Sequence, residues 1–97
     1  MSILQNALEE LKTTLLNKTR LQFSNNEYNT MKESLSFYEE NWKADSLWKT
    51  TVEIIGLLKV LSSENVNYFA NPNTYDDCLE DKKDEAFEKL QALLKRL

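Results

Sequence analysis

Histidine is absent from this 97-residue chain, and glycine, proline and cysteine occur once each. Without histidine the commonest general base is missing, together with the usual zinc and haem ligand and the Glu-x-x-His signature of carboxylate-bridged di-iron bundles. A single glycine rules out glycine-rich phosphate loops, and one Gly with one Pro cannot supply the many tight turns of a sandwich or barrel. Cys78 has no second cysteine to bridge to, and the acids around it disfavour a reactive thiolate. No run of about 18 apolar residues suggests a membrane span. The opening Met1-Ser2-Ile3-Leu4-Gln5 lacks the basic region and apolar stretch of a secretory signal. The expectation is a cytoplasmic protein, away from membranes, with no cofactor, no bound metal and no catalytic role. Lysine and arginine form no stripe of the kind phosphate backbones select, so direct nucleic-acid binding is not expected either.

What the chain does contain is 41% hydrophobic and 29% charged residues, the composition of an ordinary globular protein, at a length that suits one domain over residues 1–97. The hydrophobic spacing is helical. Ser2-x-x-Gln5 has the form of a capping box, and Leu4, Leu8, Leu11 and Leu15 follow at steps of four, three and four, which predicts a first helix over about residues 3–21. Ser24-x-x-Glu27 repeats the capping box, with Phe23 and Tyr28 placed as a hydrophobic staple. A second apolar face then runs Tyr28, Met31, Leu35, Tyr38, Trp42.

The phase slips near Ala44–Ser46, where Asp45 or Ser46 could cap a new helix; one kinked helix over 25–62 is the alternative. The segment Leu47–Ser63 is the most apolar of the chain and is expected to form the central helix, although Thr51–Ile55 also fits a strand. Gly56 inside it suggests the close approach of another helix, against plain tolerance. Ile54, Leu57 and Leu61 suit either the core or a dimer interface. Glu64–Phe69 could make a short helical turn, Asn71-Pro72-Asn73 reads as a turn, and Thr74-x-x-Asp77 caps a last helix whose core face includes Phe87, Leu90, Leu93 or Leu94, and Leu97. The fold expected is all-α, a compact bundle of about four helices with room for a fifth short one.

Charge is the most uneven property of the sequence. Asp76, Asp77, Glu80, Asp81, Asp84, Glu85 and Glu88 stand against Lys82 and Lys83, a local net of −5 in a chain whose total is −4. On a helix these acids form two adjacent lines, and like charges one turn apart cost roughly 0.2 to 0.5 kcal/mol per pair. Glu85 with Lys89 is the one compensating pair visible from spacing. Three readings apply: a solvated face, a surface that steers and docks a basic partner, or a cation site. The EF-hand order of acids and glycine is missing. Tyr68, Phe69 and Tyr75 border the acidic stretch, and aromatic residues beside a charged rim resemble the composition of a protein-binding hot spot. Core burial competes as an explanation for them, and Phe37, one step off its helix stripe, faces either a third helix or solvent.

The function these features favour is a small, acidic, non-catalytic binding module that docks on another protein's basic surface through Tyr68, Tyr75, Asp76, Asp77, Glu80, Asp81, Asp84, Glu85 and Glu88. Inhibitors of nucleases and toxin immunity proteins share this size, charge and helicity, with no motif in common. The alternative is a structural or secretion-linked helical subunit that pairs with itself or a homologue. For that class, Trp42-Lys43-Ala44 is similar to the turn of small helical-hairpin proteins that carry Trp-x-Gly, with Ala44 in place of the defining glycine. A third reading is an adaptor that holds a helical or peptide ligand on the Tyr68–Tyr75 surface.

Overall fold

The computed structural model describes residues 3–37, 46–63 and 77–97, with the side chains at 77 and 78 left aside. Four helices, α1 (Ile3–Leu15), α2 (Asn25–Ser36), α3 (Trp48–Leu61) and α4 (Asp77–Lys95), make an all-α bundle with no strand among the described residues. Consecutive helices pack on one another and α4 packs back on α1, which closes the ring. None of the described helices is long and apolar enough to cross a membrane.

The leucine spacing of α1 does what its period dictates: Leu4, Leu8, Leu11 and Leu15 are all buried. They meet Tyr28 and Leu35 of α2, Ile54, Leu58 and Leu61 of α3, and Ala86, Phe87, Leu90 and Leu94 of α4 in one apolar cluster. Ile54 and Leu61 therefore belong to the core of a single chain, while Leu57 is only half-buried. The β-branched run Thr51–Ile55 is helical, because burial of one face over four turns outweighs the weak local preference for strand.

Helix α1 is shorter than its apolar pattern suggests. It ends at Leu15 rather than near residue 21, and a single turn of 3-10 helix at Arg20–Gln22 precedes α2. Thr19 is extended, at φ −94° and ψ 160°, and its N–H donates to Gln22 Oε1 at 2.6 Å, so the local polar side chains favour a turn over continued helix. The start of α2 follows expectation closely. Ser24 Oγ accepts from the Glu27 N–H at 3.2 Å, Glu27 Oε1 accepts from the Ser24 N–H at 3.3 Å, and the Phe23 and Tyr28 rings lie 5.6 Å apart as a staple.

Helices α2 and α3 are separate and antiparallel. Asn25 Nδ2, at the start of α2, donates to the Ser63 carbonyl just past the end of α3, a contact that a single helix over 25–62 could not make. Helix α3 begins at Trp48 with Leu47 in the capping position and no side-chain cap from Ser46; Asp45 lies outside the described residues. The caps proposed at Ser2 and Thr74, the short turn over 64–69 and the positions of Tyr38 and Trp42 also lie outside them. Gly56 corrects a second expectation. A Cβ placed there would meet nothing within 4 Å, since the residue sits on the outward side of α3, so no neighbouring helix requires it.

Candidate functional site

From Asp77 to Glu88 the acidic stretch occupies the first three turns of α4, and the helix sorts its carboxylates by direction. Glu80 and Asp84, four residues apart, face the connection between α1 and α2. There Arg20 Nη2 donates to Glu80 Oε2 and Arg20 Nε to Asp84 Oδ1, each at 2.6 Å. The Arg20 side chain is only 14% exposed, whereas Glu80 and Asp84 remain 49% and 64% exposed. Burial by itself would lower the Arg20 pKa, but the hydrogen bonds and charges of Asp84 and Glu80 together hold it above the ordinary value. One guanidinium thus answers two of the like charges that the spacing alone left uncompensated.

The same connection is fastened at three further points. Tyr28 Oη donates to the Arg20 carbonyl at 2.9 Å. Gln91, on the same side of α4 as Asp84, donates from Nε2 to the Leu15 and Lys18 carbonyls, both at 3.1 Å, and so reinforces the turn where α1 stops, in which the Leu15 carbonyl also accepts from the Lys18 N–H. Lys18 places its ammonium 5.5 Å from the centre of the Phe23 ring. The Tyr28 ring is buried edge-on against Phe87, at 6.5 Å and 72°, and burial pushes its phenol pKa up to about 12, with Glu27 adding to the rise and Arg20 opposing it.

Asp81, Glu85 and Glu88 turn outward and are exposed. Glu85 pairs with Lys89 at 3.1 Å, as the four-residue spacing predicts. Asp81 and Glu88 form no ion pair among the described residues. Asp77 opens the helix; Tyr68, Tyr75 and Asp76 lie outside the described residues, as does Phe69. Phe37 is 77% exposed. Among the described residues no three His, Cys, Asp or Glu side chains converge into a metal-binding group.

Two side chains matter here that sequence reasoning passed over. Arg20 could not be matched to acids 60 and 64 residues away from spacing alone. Lys83 is almost fully buried, with Nζ donating to Asn25 Oδ1 at 3.0 Å. Its position was accessible in principle, because stepping back four residues from Phe87 along the core line lands on it.

No protein-family model, no curated protein and no solved structure matches this chain.

Proposed function

We propose that this protein is a non-catalytic binding module that presents the outer face of α4 to a basic surface of another protein. The observation that carries the reading is the outward row Asp81, Glu85 and Glu88, which stays exposed and in which Asp81 and Glu88 form no ion pair among the described residues, while Glu80 and Asp84 on the adjoining side are held by Arg20. A rigid helix with carboxylates along one edge raises the encounter rate with a cationic partner and sets its orientation. A nuclease toxin is a suitable target, since its substrate cleft must be cationic to hold phosphates, and a carboxylate row seated there would block the cleft without chemistry of its own. The finer role is then that of an inhibitor or immunity-type protein acting in the cytoplasm.

The variant that tests this is Asp81→Lys with Glu88→Lys, which reverses the outward row and leaves the Arg20 contacts intact. The wild type and the variant are used as tagged baits in lysate of the native host at two salt concentrations, and any captured basic protein is then assayed for its own activity. The expected result is a basic partner held by the wild type, released by salt and by the variant, and inhibited in the complex. Equal capture by both baits, with circular dichroism showing both folded, would remove the acidic face from the function.

A further inference from the structure

On the side of α4 away from Glu80 and Asp84, a groove of about 480 Å³ runs between α3 and α4. Its floor is made by Gly56 and Leu57 from α3 with Ala92 and Leu93 from α4; Glu53 stands at the α3 margin, and Arg96 and Lys89, the latter paired with Glu85, stand at the α4 margin. Leu57 and Leu93 are left half-buried, and no atom fills the space where a side chain at position 56 would project. From this geometry we infer that the groove is the seat of a second copy of this chain, giving a two-fold symmetric dimer.

The occupant follows from the distribution of charge. Helices α3 and α4 are antiparallel, because Asn25 contacts both Ser63 at the end of α3 and Lys83 near the start of α4. Glu53, early in α3, and Arg96, just past the end of α4, therefore lie at the same height on opposite margins of the groove, and they form no ion pair among the described residues. A two-fold axis parallel to the helices and lying in the interface sets α3 of one copy over α4 of the other. That operation places Glu53 of each protomer over Arg96 of its partner and brings Leu57 against the partner's Leu93. The patch is then complementary to itself, as an isologous interface requires. The small residues Gly56 and Ala92 provide the depressions into which the facing leucines enter, so the backbones can approach closely. Asp81 and Glu88 do not line the groove and stay free for the docking face proposed above, whereas Glu85 adjoins it through Lys89.

Sedimentation equilibrium of the full chain over a wide concentration series, in low salt, tests the inference. The wild type should reach a dimer. Gly56→Gln should abolish it while raising the unfolding midpoint, since glutamine favours helix over glycine; a loss of association then cannot be ascribed to unfolding. Glu53→Arg and Arg96→Glu should each weaken the dimer about tenfold or more, as lost interfacial charge pairs do, and the double exchange should restore it. Asp81→Lys should leave it unchanged. A wild type that remains monomeric throughout overturns the proposal and leaves the groove to a different protein, and so does a dimer that Gly56→Gln and the charge exchanges do not affect.

Discussion

Arg20 joins two half-hydrated carboxylates while most of its own surface is out of water. Exposed ion pairs contribute little, because solvent screens them and side-chain entropy is lost on pairing. A guanidinium bonded to two acids is worth more, since each acid also relieves the other's repulsion. Arg20→Gln should lower unfolding stability by about 1 to 2 kcal/mol in urea titration. The penalty should shrink when Glu80 and Asp84 are already amides, the non-additivity that marks direct coupling. Tyr28 offers a second test at this scale. An unfolded tyrosine ionises near pH 10, and in the fold the proton is held to about pH 12. Stability is therefore intact below pH 10 and drains as pH rises from 10 to 12, by about 2 to 3 kcal/mol from this one group. Tyr28→Phe should cost about 1 kcal/mol at neutral pH through the lost bond to the Arg20 carbonyl. It should also flatten the alkaline decline, read as the difference between the two proteins at each pH.

Elements differ in how much of their architecture is written locally. The capping box Ser24–Glu27, the staple of Phe23 on Tyr28 and the leucine line of α1 are contacts between residues three to five apart, and all were legible before any fold was known. Ser24→Ala should lower stability by about 1 kcal/mol, measured by thermal unfolding, because it removes the capping hydroxyl and leaves the Glu27 N–H only the Ser24 carbonyl. The end of α1 was only partly legible: the Thr19–Gln22 turn beyond it is local, but Gln91, which donates to the Leu15 and Lys18 carbonyls, is 76 and 73 residues away. Gly56 is the opposite case: glycine inside a helix invites a tertiary explanation, and none is found among the described residues. Gly56→Ala should accordingly raise stability by about 1 kcal/mol in denaturant titration, with no neighbour displaced. Half of the candidate site was legible in the same sense. The acids could be placed on one helix from spacing, but the pairing of Glu80 and Asp84 could not be read, because their partner Arg20 is distant in sequence.

Across the whole molecule the core is continuous but unevenly shared. Helix α3 packs along both α2 and α4, whereas α1 touches its neighbours more sparsely and is secured where its chain turns, by Gln91 and by the Arg20 contacts. Elements with fewer tertiary contacts open at lower free energy than the global transition. Native-state hydrogen exchange should therefore find α1 amides exchanging through a partial opening while α3 and α4 exchange only with global unfolding. Arg20→Gln should widen that gap. Uniform protection across the four helices would contradict the uneven packing.

The polar ties share one end of the bundle. Asn25 links α2 to Ser63 and Lys83, and Arg20 links the turn before α2 to Glu80 and Asp84. Ridges of leucine are nearly periodic, so two helices can slip past each other by one turn, about 5.4 Å, and still bury apolar surface. Hydrogen bonds with fixed partners have no such second solution. A slip of α4 by one turn would offer Arg20 a fresh pair of acids, since they recur every four residues, but it would strand the Lys83 ammonium and pull Gln91 from the Leu15 and Lys18 carbonyls. Lys83 and Gln91 thus act as the registration marks that select one alignment from several the core would accept.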